Sequence, residues 1–317
     1  MKNSYLIIIA TVMAAMLFLP LAATAVTVTD GPTVSTLAPV LDSSVKVKMT
    51  ESGEIISLET EDYVLGVVAA EVPSTYNEEA LKAQAVAART FLYYEKGKLA
   101  YSDYDITDDF TLHQAFITKE TLKEKWGEKF DENYAKIKAA VDGTKGEILT
   151  HDGKPIFAAY HAISSGKTEN AENLWEKSYP YLLSVDSIGD LLCPDYLSTV
   201  SVSAQDFKKS FEKKTEFSED KKSWVSNCQN TDSGTVIKIK VGDKEFKGSE
   251  IRELFSLRSS SFDLTFDGTD FVFTVRGYGH GVGMSQNGAN YMAQQGSDYK
   301  EILNWYYRDC KIEKALE

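Results

Sequence analysis

The sequence predicts an α+β domain preceded by a single N-terminal membrane-spanning helix. Three observations predict it. The run EEALKAQAVAARTFLYYEK, residues 78–96, contains no glycine or proline, and Asn77 before it can act as a cap. Short strand-like runs are interspersed with such helices, and one pair is joined by Asp152-Gly153, a strong hairpin signal. Tyr5 to Thr29 carries no charged residue, which suits a membrane span.

The chain of 317 residues is long enough for a sizeable core. Its net charge of −13, with no long basic stretch, argues against nucleic acid as a partner and against a strongly anionic polymer as substrate. Residues 1–28 read as a retained anchor. Ala23-Thr24-Ala25 leaves a signal-peptidase site as the alternative. Lys2 should remain in the cytoplasm, placing the globular part outside it. Residues 29–44 are polar and proline-containing, as in a linker. The three cysteines, Cys193, Cys228 and Cys310, form no CxxC pair, and a Cys193–Cys228 bridge is left open.

The elements follow in order. Val45–Met49 alternates as a strand, Gly53 marks a turn, and Ile55–Leu58 is a second strand. Thr60 can cap a helix that stops before Pro73, because the residue before proline avoids the α region. The helix from Glu78 should end at Gly97. Lys119–Asp142 reads as a charged helical segment, and residues 143–162 as strand-turn-strand. Asp206–Lys214 and Glu250–Phe255 read as helices, Val236–Val241 and Phe271–Arg276 as strands. Gly277–Gly283 is a glycine-rich loop, followed by helices near 286–295 and 298–307. Residues 186–250 are the least legible part.

Several residues stand out for their chemistry. Glu71 ends the apolar run GVVAAEVP. It is either a solvated residue at a helix end or an acid kept partly dry so that it holds a proton. Desolvation by Val67, Val68 and Val72 would raise its pKa. Lys82 and Arg89 lie seven residues apart on one helical face, which fits either a cleft wall or an ordinary amphipathic helix. In RGYGHGVGMSQNGA, residues 276–289, alternating glycines let the backbone turn sharply or approach a ligand, with His280 at the centre. The loop YHAISSGKTEN, residues 160–170, is dense in hydrogen-bonding groups. It lacks a GxSxG elbow for a serine nucleophile. The four histidines share no metal-binding spacing, so neither metal nor cofactor is expected.

In chain order, AAEVP, EALKAQAVAARTF, Leu112-His113-Gln114, YHAISSGKTEN with Trp175, SVDS, LRSSSF, GYGHGVGMSQNGA and ILNWYY resemble the SpoIID/LytB family over about residues 45–312. The resemblance implies one two-lobed domain with a cleft, acting as a membrane-anchored lytic transglycosylase on peptidoglycan glycan strands during sporulation and engulfment. It implies a preference for strands stripped of stem peptides by a partner amidase, stage II sporulation protein P, within the engulfment complex. It makes Glu71 the catalytic acid and Lys82 and Arg89 the basic residues of the following helix. The other side chains expected to contact glycan are His113, His161, Ser165, Thr168, Glu169, Tyr278, His280, Ser285 and Gln286. Some relatives carry cysteines that can hold zinc around the segment matching Leu112-His113-Gln114, and this sequence has none there.

A lone carboxylate suits this chemistry. Ordinary glycoside hydrolysis takes two carboxyl groups. A lytic transglycosylase uses the C6 hydroxyl of N-acetylmuramic acid as nucleophile, so one residue serves as acid and then base. The alternatives are a glycan-binding module of the same fold that enhances an amidase, and a metal-dependent hydrolase built on convergent histidines.

Overall fold

A computed structural model describes residues 43–96, 98, 103–175 and 177–315. The expected anchor, nearly all of the linker and the Gly97 helix stop lie outside the described residues. Among the described residues no helix is long and apolar enough to cross a membrane.

The α+β expectation holds: nine α-helices and five small sheets are described. The chain enters through strands Ser44–Lys48 and Ile55–Glu59, paired antiparallel, then forms α1 (Thr60–Glu71) and α2 (Glu78–Lys96). Helix α1 begins one residue earlier than Thr60 as cap would require. Glu59 is the capping residue and makes no side-chain cap bond. Helix α2 starts as expected, with Asn77 Oδ1 accepting from the Glu79 amide at 3.0 Å.

Helix α2 is the spine of the molecule, and its alanines explain why. Ala80, Ala83, Val86 and Ala87 belong to one hydrophobic core, with Leu149, Leu182, Met284 and Tyr307. Leu81, Ala85, Ala88 and Leu92 belong to a second, with Val64, Val67, Val68 and Ile137. A helix buried on both sides needs small residues so that its neighbours can approach.

The charged segment after residue 118 divides into α3 (Lys119–Trp126) and α4 (Phe130–Gly143), separated at Gly127, whose φ of 53° departs from helical geometry. The hairpin Glu147–His151/Lys154–Pro155 turns at Asp152 and Gly153 with φ of 51° and 70°, as a two-residue primed turn requires. The unanticipated C-terminal strand Lys311–Lys314 pairs with it.

After α5 (Ala171–Trp175), residues 197–276 build a third core of their own. One sheet joins Leu197–Ser203, Asp270–Arg276 and Phe262–Phe266. Another joins Val225–Asn230, Val236–Val241 and Lys244–Lys247. Helices α6 (Ala204–Ser210) and α7 (Gly248–Leu254) complete this unit. Its core is aromatic: Phe207 stacks on Phe271 with ring centroids 4.0 Å apart, and Trp224 on Phe271 at 5.6 Å.

The chain then returns to the first core through α8 (Gln286–Gln294) and α9 (Tyr299–Tyr306). Just before α8, Met284–Ser285 pairs parallel with Tyr160–His161. This short pairing lays the glycine-rich loop on the YHAISSGKTEN segment. Gly283 makes it possible: its φ is 75°, and a Cβ there would lie 2.0 Å from the Ala159 carbonyl oxygen. Cys193, Cys228 and Cys310 are all free thiols, so no Cys193–Cys228 bridge forms.

Candidate active site

Glu71 is the last residue of α1. Val72 is extended, with φ −130° and ψ 149°, as a residue before proline should be. The partly exposed Glu71 carboxyl is held from two sides. Its Oε1 accepts from the Ala115 amide at 2.9 Å, and its Oε2 from Gln286 Nε2 at 3.3 Å. The Tyr160 hydroxyl is also within hydrogen-bonding reach of it.

Burial pushes the Glu71 pKa above its ordinary value, against the opposing effect of the hydrogen bonds from Ala115 and Gln286 and of the neighbouring Tyr160 hydroxyl. Its position at the negative end of a helix dipole acts in the same sense as burial. The three groups that hold the carboxyl are neutral, so they orient it without demanding its charge.

Gly66 explains how Ala115 reaches Glu71. A Cβ at residue 66 would meet Phe116 Cε2 at 2.5 Å and the Ile117 carbonyl at 2.6 Å. The missing side chain lets residues 114–117 cross directly over α1. Phe116 then stacks on Tyr63, with centroids 5.3 Å apart. Gln114 is clamped below: its Nε2 donates to Tyr63 Oη (3.2 Å) and the Ala88 carbonyl (3.3 Å), and its Oε1 accepts from Tyr160 (2.8 Å). Gln114 and Tyr160 thus join Glu71 and Gln286 in one network. Both lie in the motif segments, beside the expected contacts His113 and His161.

Two hollows flank this network. One, about 290 Å³, is lined by Phe91, His113, Gln114, Phe157, Trp175 and His280. The other, about 600 Å³, opens on Glu71 itself, with Pro73, Lys125, Trp126, Lys129 and Asn133 on its walls. A wider hollow of about 900 Å³ lies beside Glu59 and Glu61 at the start of α1. There the Glu61 carboxylate is committed to Arg89.

The remaining expected residues divide sharply. Gln286 meets Glu71, and His113 lines the aromatic hollow with Nδ1 2.8 Å from Thr107 Oγ1. His280 lies against Trp175, centroids 5.2 Å apart, and burial holds its pKa below the ordinary value. Tyr278 is exposed, with Arg258 over its ring at 4.7 Å.

Others are occupied elsewhere. Arg89, expected to contact substrate, is 0% exposed. It makes paired bonds to Glu61 of 2.9 and 2.6 Å and donates to the Glu147 carbonyl at 3.0 Å. It is a buried structural cation that cannot touch a glycan. Lys82 pairs with Glu78 and Glu79 on its own helix, at 2.7 and 2.8 Å, and shares no hydrogen bond with the Glu71 network. The expectation that these two cations face one cleft is therefore corrected. Their common helical face is the one that packs inward at Arg89.

Four more expected contacts are buried. Ser285 caps α8 by accepting from the Gly288 amide at 3.1 Å, and donates to Asp190 at 2.8 Å. Thr168 bonds the Val185 backbone. Glu169 accepts from the Asn170 amide, Asn173, Thr231 and Ser233, which leaves it no free face. His161 has Nδ1 3.1 Å from the Val282 carbonyl, and its Nε2 has no hydrogen-bond partner among the described residues. Ser165 is only partly buried, with its hydroxyl donating to the Lys167 and Ser233 carbonyls. Among the described residues, no group of three or more His, Cys, Asp or Glu side chains is arranged to hold a metal ion.

The glutamate, the segment crossing it and the helix between them are all contained in residues 48–151. Those residues match the family model for SpoIID, described as stage II sporulation protein. Stage II sporulation protein D of Bacillus amyloliquefaciens is 38% identical over 275 residues, covering 86% of this chain and 79% of the relative. The protein of the same name from Bacillus subtilis (strain 168) is 38% identical over 276 residues, with the same coverage. The amidase enhancer of Bacillus subtilis (strain 168) is 27% identical over 293 residues, covering 76% of this chain and 39% of the relative. Identity at the level of the two sporulation proteins, sustained over most of both chains, shows that the chain belongs to the SpoIID family of stage II sporulation proteins.

Proposed function

We propose that this sporulation protein is a membrane-anchored lytic transglycosylase of peptidoglycan, with Glu71 as its acid and base. The observation that carries the reading is the state of Glu71: partly exposed on an open hollow, raised in pKa by burial, and held only by neutral donors. Raising the pKa favours the protonated form that a general acid needs at the start of the reaction.

In the proposed reaction, Glu71 protonates the glycosidic oxygen between N-acetylmuramic acid and N-acetylglucosamine. The C1–O bond breaks and the N-acetylglucosamine leaves with that proton. The resulting carboxylate accepts the proton of the muramic C6 hydroxyl as O6 bonds to C1. The 1,6-anhydro product forms with no water consumed, and Glu71 ends protonated again. Gln286 and the Ala115 amide orient the carboxyl. The aromatic hollow beside Gln114 suits the apolar faces of sugar rings. The denuded strands left by the amidase stage II sporulation protein P are the proposed substrate during engulfment. The catalytic domain, residues 45–312, would lie outside the cytoplasm on its single-pass anchor.

A second reading has support of its own. The match to an amidase enhancer favours a glycan-binding module that assists an amidase. Digestion of peptide-free glycan strands with the full chain, and with Glu71→Gln, separates the two. Anhydro-muramic ends from the wild type alone support the transglycosylase. Reducing ends point to hydrolysis, with Glu132 on the same hollow as the next carboxylate to test. Binding without cleavage by either protein favours the module.

A further inference from the structure

The hollow in front of Glu71 has an electrostatic character that the acid alone does not explain. Lys125 lies in the last turn of α3, and Lys129 in the short turn Gly127–Lys129 that leads into α4. Both are exposed, and both line the hollow with Glu71. Trp126 stands between them in sequence and is partly buried, its ring 6.3 Å from that of Phe130. Neither lysine forms an ion pair among the described residues, although Glu128 and Glu132 are close in sequence. The two lysines share this wall with the carboxyls of Glu71 and Glu132, in a chain of net charge −13. Cations left unpaired beside a reaction centre suit an anionic group on the ligand.

The proposed substrate carries one such group. The lactyl ether of muramic acid ends in a carboxyl that is an amide while the stem peptide is attached, and a free carboxylate once an amidase has removed the peptide. We infer that the Lys125–Trp126–Lys129 wall is a subsite for the lactyl carboxylate of denuded muramic acid. Trp126 supports the sugar face and the two ammonium groups bind the carboxylate. The site would thereby read whether the peptide has gone. Two features are consistent with this. The Glu71 carboxyl accepts from the Ala115 amide and Gln286, and neither lysine is hydrogen-bonded to it among the described residues. The kink at Gly127 turns the two lysines onto a common wall. This inference rests on the proposed function above.

The test uses two glycan preparations: denuded strands with the free lactyl carboxylate, and the same strands with it capped as a methylamide. The wild-type full chain is expected to prefer the free carboxylate on the order of tenfold in kcat/KM, the scale of two exposed ion pairs. That preference should shrink as salt is raised. The double variant Lys125→Gln/Lys129→Gln should lose the preference and cleave the two preparations with the same kcat/KM. Lys125→Arg/Lys129→Arg should retain it. Equal cleavage of both preparations by the wild type, or a preference that survives the double glutamine change, overturns the inference. If no strand is cleaved, binding of the same two preparations to Glu71→Gln decides it separately. Discrimination there upholds the subsite while the transglycosylase reading fails, and its absence overturns the subsite.

Discussion

Gln286 Nε2 lies 3.3 Å from Glu71 Oε2, joining two residues 215 positions apart at opposite ends of the domain. The contact exists because Ser285 caps α8 and Pro73 ends α1, so each element stops where its neighbour begins. A neutral amide in this position favours the charged form of the acid.

Replacing Gln286 by leucine removes a hydrogen bond that lowers the Glu71 pKa. That pKa should therefore rise further. The general acid must be protonated to start the reaction, so the limb where kcat/KM falls with increasing pH should move to higher pH. A pH–rate profile that keeps its alkaline limb in place would show that this limb does not report Glu71.

Glu71→Gln should abolish cleavage and stabilise the fold at neutral pH. An acid whose folded pKa is raised favours the folded state fully below its unfolded value. Stability is lost as pH rises from the ordinary 4.5 through the raised folded value, and the deficit stays constant above it. Glutamine cannot ionise, so the melting temperature of the variant should exceed that of wild type at pH 7. The two should converge as pH falls below 4.5. A variant less stable than wild type at pH 7 would mean that the charged carboxylate is well satisfied in place.

Arg89 and Lys82 should behave very differently. Arg89→Ala removes the cation that pairs with Glu61 and donates to the Glu147 carbonyl, and removing one partner of a buried pair costs about 3–5 kcal/mol. Lys82→Ala removes two local pairs on a helix surface, a loss below about 1 kcal/mol. Denaturant titration of both variants gives the comparison. Equal losses would contradict the buried role of Arg89.

What could be read from the chain beforehand depended on local signals. The Asn77 cap, the Asp152-Gly153 turn and the Pro73 stop act within a few residues, and all appear in the structure. So does Glu71 as the end of an apolar helix. The burial of Arg89 is not legible in the sequence, because spacing gives the face of a helix and not what covers it, and α2 is covered on both sides. The roles of Gln114 and Tyr160 are not legible locally, because they come from the crossing at Gly66 and the pairing at Gly283, which are long-range contacts. Gly66 was the available signal, as a glycine inside an apolar helix often marks a close approach. The strand Leu197–Ser203 alternates plainly, but its partner Asp270–Arg276 lies some seventy residues on.

His161 should govern stability on the acid side. Burial pushes its pKa down from 6.5 to about 4, because the charged ring would lose its hydration and gain only the Val282 carbonyl. A base with a depressed folded pKa contributes no penalty above its unfolded value. Stability is lost as pH falls from 6.5 towards 4, because the unfolded chain takes up the proton first. The full loss, about 3 kcal/mol for a shift of this size, is reached near pH 4. In His161→Gln this source of acid sensitivity is absent, while the amide can still donate to the Val282 carbonyl. Thermal melts between pH 7 and pH 4 should therefore fall less steeply for the variant, even if its stability at pH 7 is lower from imperfect packing. Parallel melting curves for the two proteins across that range would show that His161 takes up its proton at an ordinary pH, and that its unpartnered Nε2 is reached by water.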